Sequence, residues 1–546
     1  MIYLYFNTIR YLKLKQIYYR IWYLIYKPGI YNYSVPKIRH KISKLVLIIK
    51  KKESMFNGKK FNFLNKTMSL SKINWNGHDE TISKLWRYNQ HYFDYLNTVN
   101  SSTYHKYHLE ILENWVKENK NFKGVGWEPY PSSLRIVNWI KWQLSGNNLS
   151  KNCSQSLALQ TRMLNKQIEW HILGNHLFSN AKALVFAGLF FDDIESENWL
   201  NKGLRIISDQ IDEQVLEDGG NFELTPMYHS IFLEDVLDLI NVSQVYKGAI
   251  QDNYVNKWKD ISKKMLSWLE IMIHPDNEIS FFNDAAIGIA ANFRDLNDYA
   301  KRLGVKYDNN KFNKITHLIN SGYIRYTSKD AVLFLDVGRI GPDYLPGHAH
   351  ADTLSFEISL FKERLIVNGG TSEYASTDIR RYERSTKSHN TVTINDQNSS
   401  EVWNSFRVAR RALPLNLKIE KNMNMIDIKC AHDGYMRLEG KPVHKRSWKF
   451  YNTSLSIEDN IEGNYKSSFA YFHFHPKVIL VKKQNYIWNI NMPNNKKVTL
   501  EVIKGEPYLE KSYYSPEFGK RLETKCLKVA LDKQKGSFVE ISWNNI

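Results

Sequence analysis

The hydrophobic period of this chain changes once, and that change limits its fold more than any other feature. From about residue 80 to 310, apolar side chains recur at helical spacing, as in YHLEILENWVKENK, SLRIVNWIKWQLSG, NHLFSNAKALVFAGLFF and EDVLDLINVSQVYKGAI. Short Gly/Asn/Asp connections separate these stretches. Near residue 320 the period drops to two, in runs such as AVLFLDVG, LSFEISLF, HNTVTIND, FAYFHFHP and FVEISW. Helices followed by strands predict two domains, an all-helical array and then an antiparallel β-sandwich. A chain of 546 residues also exceeds what one core can organise. The expected division is a basic segment and linker over 1–79, a helical domain over 80–315 and a sandwich over 316–546.

Charge narrows the partners. The formal net charge is +19, which favours an anionic partner: nucleic acid, anionic lipid or an acidic polysaccharide. No nucleic-acid-binding module is recognisable, so nucleic acid is not expected. Three cysteines, Cys153, Cys430 and Cys526, lie far apart and form no CxxC pattern. Neither a disulfide framework nor a thiolate zinc cluster is expected. Residues 1–27 read as one basic, aromatic, amphipathic helix ending at Pro28-Gly29. It is expected to dock on the body of the protein, with peripheral membrane contact as the alternative. Arg10, Lys13, Lys15 and Arg20 interrupt any apolar core of a secretory signal. The expected compartment is the cytoplasm or a membrane surface, with the periplasm or cell envelope as the alternative. Oligomeric state is not legible.

Four segments concentrate chemistry-bearing side chains. In Gly347-His348-Ala349-His350-Ala351-Asp352, at the head of a strand run, residues i and i+2 of a strand share a face. Two imidazoles side by side suit a metal site or a catalytic and orienting pair, and equally a pair of surface histidines. Ser388-His389-Asn390-Thr391 follows a basic stretch containing Arg380, Arg381 and Arg384, and adds a third histidine if its strand is a neighbour. In Asp218–His229, Thr225-Pro226 reads as N-cap and first helical residue, which places Tyr228 in the first turn. There the helix terminus lowers the cost of a nearby anion. Gly174-Asn175-His176 precedes another helix, where Asn175 either donates to a carboxylate or caps.

These segments, in this order, resemble the heparinase II/III family of polysaccharide lyases over roughly residues 80–480. The resemblance is carried by NHLFSNAKAL, DGGNFELTPMYH, GHAHADTLSFEI, NGGT and SHNTV, and also by WEPYPSSLRIVNWI and HDGYMRL. It implies a helical α/α toroid (an incomplete barrel) joined to an antiparallel β-sandwich. It also implies that Asn175 neutralises a substrate carboxylate, that Tyr228 is the catalytic acid/base and His348 its partner base. His389 is implied as a further active-site histidine. His176, Glu223, His229, Arg380 and Arg384 are expected at the substrate. His350 and His389 fall where some members bind a structural zinc. The third ligand there is usually an acid, and this chain has Asn368, a poor zinc ligand.

The implied reaction is β-elimination on a uronate-containing acidic polysaccharide. A proton beside a carboxylate is removed only if that carboxylate is first neutralised. Which of Tyr228 and His348 is the base stays open at this level. Arg380, Arg381, Arg384, Arg407, Arg410 and Arg411 either line an anionic cleft or form a solvated surface. The alternatives are metal-assisted hydrolysis at His348, His350 and His389, and a non-catalytic acidic-polysaccharide-binding protein of envelope or capsule metabolism.

Overall fold

The computed structural model describes residues 2–29, 34–69, 74–77, 82–308, 312–423 and 425–543. The expected boundary at 79/80 lies outside those residues. Helices dominate from Lys84 to Arg302 and strands from Ile315, so the order of textures in the sequence is the order of layers in the fold; before Lys84 the strands 55–56, 60–63 and 66–69 form a small antiparallel sheet. The first strand of the sheet region begins at Ile315, one residue before the expected boundary.

The helical half is built from α3 (Lys84–Tyr92), α4 (His105–Glu118), α5 (Pro129–Leu144), α6 (Lys151–Lys166), α7 (Gly174–Phe190), α8 (Ile194–Gln214), α9 (Pro226–Val245), α10 (Asp252–Ile271) and α11 (Phe293–Arg302). Helix α7 is central: it packs against α5, α6, α8 and α9. All but two of its residues are buried, the exceptions being Asn175 and His176 in its first turn. A helix apolar on every side must be covered on every side. Its one buried cation, Lys182, is matched by Asp235 and Asp238 of α9.

The sheet half stacks two layers. One is an eight-stranded antiparallel sheet in the order 414–421, 426–432, 443–450, 454–462, 537–542, 497–504, 487–491 and 479–484. Facing it are a five-stranded sheet (363–366, 356–360, 331–336, 323–327, 315–318) and a four-stranded sheet (392–394, 468–473, 520–530, 506–517). The inward rows of these sheets form one core around Trp448, Phe356, Phe472 and Leu527. Short helix α12 (Asp378–Glu383) interrupts the strands beside the seam with the helical half.

Residues 2–25 form two helices, α1 (Ile2–Ile9) and α2 (Leu14–Ile25), rather than one. Tertiary contacts explain the break. Helix α1 grips the sheet half, where the Trp403 indole donates to the Thr8 hydroxyl and Tyr5 meets the Trp403 ring edge-on. Helix α2 lies on the helical half, where Tyr23 donates to the Ile168 carbonyl and Lys13 pairs with Glu213. Lys13 is extended between the two helices and the Gln16 side chain accepts from its N–H.

Candidate active site

The site forms where the two halves meet. Thr225 caps α9 by accepting from the Tyr228 N–H at 3.3 Å, and Pro226 occupies the first helical position, which fixes Tyr228 in the first turn. Asn175 stands in the first turn of α7. From the sheet half, His348 reaches across and stacks on the Tyr228 ring, with centroids 3.9 Å apart.

His348 and His350 do not lie on a strand. Residues 347–352 are a loop, and regular pairing begins at Phe356. Tertiary hydrogen bonds override the alternation. Arg384 donates to the Ala349 carbonyl at 3.1 and 2.8 Å, and the Ala351 N–H returns to the Arg384 carbonyl. The Asp284 N–H donates to the His348 carbonyl. The two imidazoles converge all the same, because each meets one oxygen of Asp284: His348 Nδ1 at 2.9 Å and His350 Nε2 at 2.8 Å.

Asp284, in the connection between α10 and α11, is the hub that sequence reasoning missed. Its carboxylate also takes both Nη atoms of Arg380 and, at 3.2 Å, the Thr371 hydroxyl. Burial alone would raise its pKa, but the Arg380 guanidinium and the two histidines hold it well below the usual carboxylate range. A fixed anion on Nδ1 of His348 orients the ring and leaves Nε2 for chemistry. That nitrogen lies 3.7 Å from Glu223, a buried acid that also faces the Asn175 backbone. Burial pushes the Glu223 carboxyl upward against the opposing pull of His348 and His176.

Tyr374 is the second missed residue. Its hydroxyl lies 3.1 Å from that of Tyr228. Burial and the neighbouring Tyr374 raise the Tyr228 phenol well above its ordinary value. The helix terminus therefore does not make Tyr228 a phenolate at neutral pH. His176, next to Asn175, lies tilted against the Tyr130 ring with centroids 4.4 Å apart and hydrogen-bonds Glu169 at 3.0 Å. Burial pulls its pKa down, but Glu169 together with Glu223 and Glu128 makes the net shift upward.

Several expected site residues sit elsewhere. His229 is fully buried behind α9; its ring accepts from the Asn221 N–H and donates to the Met265 carbonyl, and it stacks on Trp268. Both ring nitrogens are spent on backbone, so it is corrected to a packing residue. Arg380 and Arg384 are buried on Asp284 and on the Ala349 and Asn404 carbonyls, which removes them from direct substrate contact. The remaining arginines of the cluster are also engaged. Arg381 pairs with Asp378, Arg410 with Glu401 and Arg411 with Asp343, and Arg407 lies over Trp403. His389 lies behind His350, its Nε2 3.1 Å from His350 Nδ1 and its Nδ1 on the Ser385 carbonyl. It is one layer removed from Tyr228.

The described residues do not fit a zinc ion. His350 and His389 offer two converging nitrogens, half of a tetrahedral set. The Asn368 carboxamide oxygen already accepts from the Asn390 N–H at 3.1 Å and its Nδ2 at 3.2 Å. Its NH2 donates to the Phe281 carbonyl at 2.9 Å. Among the described residues no group of three His, Cys, Asp or Glu is placed to hold a metal.

A helical toroid that meets an antiparallel sandwich across a tyrosine–histidine pair defines a recognisable two-part architecture. Residues 10–310 match the family described as Heparinase II/III N-terminus, and residues 313–543 match Heparinase II/III-like, C-terminal. The chain belongs to the heparinase II/III family. A curated relative, heparin-sulfate lyase of Bacteroides stercoris, is 24% identical over 325 residues, which are 56% of this chain and 46% of the relative. The chain thus matches about half the length of that protein. Among solved structures, heparinase III superposes with a TM-score of 0.74 at 16% identity, covering 97% of this chain and 89% of that one. A heparan sulfate lyase from Pedobacter heparinus gives 0.58 at 19% identity, covering 97% and 88%. At these identities the superpositions establish the toroid-plus-sandwich fold.

Proposed function

We propose that the protein is a polysaccharide lyase that cleaves a uronate-containing acidic polysaccharide by β-elimination. The observation that carries this reading is the stacked Tyr228–His348 pair backed by the Asp284 anion. The names of the curated relatives, heparin-sulfate lyases, support it.

The substrate carboxylate is met by the Asn175 amide in the first turn of α7. This stabilises the carbanion that forms beside the carboxylate. Nε2 of His348 removes the proton on the adjacent carbon. The electron pair moves into a carbon–carbon double bond as the bond to the 4-linked oxygen breaks. Tyr228, neutral because its pKa is raised, protonates that oxygen. Proton return from His348 to Tyr228 restores the site. The base is therefore assigned to the imidazole and the acid to the phenol.

The test is ultraviolet absorbance of the unsaturated uronate after incubation with a panel of uronate polymers. Tyr228→Phe and His348→Ala are expected to lose about 10²-fold or more in kcat while keeping the wild-type unfolding transition. Unchanged turnover in both variants would sink the assignment.

A further inference from the structure

The first 52 residues carry twelve Lys and Arg and no acid; the first carboxylate is Glu53. Twelve of the chain's nineteen excess positive charges therefore sit in its first tenth. Among the described residues three of the twelve form ion pairs, Lys13 with Glu213, Arg39 with Asp192 and Lys51 with Asp94. Lys27, Lys37, Lys41 and Lys44 are exposed.

Over the same stretch the apolar side chains divide into two sets. One set touches the protein: Tyr23 fastens α2 to the helical half, and Tyr5, though partly open to solvent, meets Trp403 of the sheet half. The other faces out. On α1, Ile2 is 88% exposed and Phe6 65%; on α2, Leu14 is 85% exposed, Leu24 78% and Ile25 76%. Leu14, Ile21 and Ile25 are spaced i, i+7 and i+11, one stripe along the helix. Protein packing accounts for the inner set and leaves the outer one in water. Single exposed apolar residues need no explanation, but a continuous stripe on an acid-free segment does.

We propose that the α1–α2 pair is a membrane-docking element that lies flat on an anionic bilayer. The outer stripe would enter the boundary between headgroups and acyl chains, and the basic side chains of the same segment, Arg10, Lys15, Arg20 and Lys27, all exposed, would meet the lipid charge. Charge complementarity selects this occupant, because a second copy of the chain would bring an equally basic, acid-free surface against the first. Neither helix is long or apolar enough to cross a membrane, so the attachment is to the surface. This inference stands apart from the catalytic reading.

The test uses the full chain and flotation with two kinds of vesicle: phosphatidylcholine alone, and phosphatidylcholine with about one-third phosphatidylglycerol. The protein is expected to float with the anionic vesicles only, and to be released by high salt. A Leu14→Glu/Ile21→Glu/Ile25→Glu variant changes exposed side chains alone, so it should keep the wild-type melting temperature and bind at least about tenfold more weakly. Equal binding by this variant, or no binding by the wild type, overturns the proposal. Self-association in sedimentation equilibrium that the same substitutions abolish would assign the face to a second copy, and would also overturn it.

Discussion

Replacing Asp284 by Asn tests the core of the site, because the change is isosteric and removes only charge and acceptor capacity. The carboxylate receives His348 Nδ1, His350 Nε2, the Thr371 hydroxyl and both Nη atoms of Arg380, and it is fully buried. An amide keeps one acceptor oxygen and turns an NH2 toward groups that are themselves donors. The Arg380 guanidinium, buried over Tyr374 and Phe406, then loses the carboxylate it touches. Breaking a buried pair by removing one partner costs about 3–5 kcal/mol, and that loss is expected in urea unfolding. Catalysis should suffer separately. Without the anion, nothing holds the proton on Nδ1 of His348, so the fraction of rings presenting a bare Nε2 falls. A loss of about 10²–10⁴ in kcat with little change in KM is expected, measured by initial rates under conditions where the variant is folded. Asp284→Asn with near-wild-type kcat and an unfolding midpoint within error of the parent would refute both the hub and the orienting role.

Three other outcomes follow from the same geometry. Tyr374→Phe removes the hydrogen-bond partner of Tyr228 and should cost only about 0.5–1.5 kcal/mol of stability while lowering kcat about tenfold; an unchanged kcat would separate Tyr374 from the reaction. Burial lowers the His229 pKa to about 3. The unfolded chain therefore binds a proton below pH ~6.5 that the native one refuses, and His229 contributes stability above pH ~6.5 that is lost as the pH falls toward 3. At pH 5 the loss is on the order of 2 kcal/mol, so in His229→Gln, which keeps a donor and an acceptor, the decline from pH 7 to 5 should shrink by about that amount; coincident pH slopes would count against it. Because Asn368 is committed to an amide network, activity should survive chelation and elemental analysis should find less than stoichiometric zinc; inactivation by chelator with recovery on zinc addition would contradict this.

The layers of the fold were legible because periodicity reports which faces are buried: α7 and the strand 331–336 are both apolar, yet one is long enough for a helix and the other is not. Tyr228 was legible through Thr225-Pro226, a local device whose geometry follows from residue type. The His-Ala-His segment was found, but its conformation was misread. Alternation suggests a strand, while the loop is held by Arg384 from more than thirty residues away. Asp284 and Tyr374 left no comparable mark. Asn283-Asp284 between Phe282 and Ala285 is a polar pair in apolar surroundings, a signal that a buried acid shares with any turn. The arginine cluster misled for the converse reason: sequence shows charge, and only tertiary structure shows that these side chains are already engaged by acids, carbonyls or a ring.

The site takes its parts from both halves and from the segment that joins them: Asn175, Glu223 and Tyr228 from one, His348 and Tyr374 from the other, and Asp284 from between. On the proposed function, turnover is expected to report assembly. Fragments of the two halves prepared apart should be silent, and mixing them should restore activity in proportion to the complex formed. The clasp of α1 on one half and α2 on the other would then set how tightly the fragments complement, and a fragment pair lacking residues 2–25 should need higher concentrations to regain the same rate.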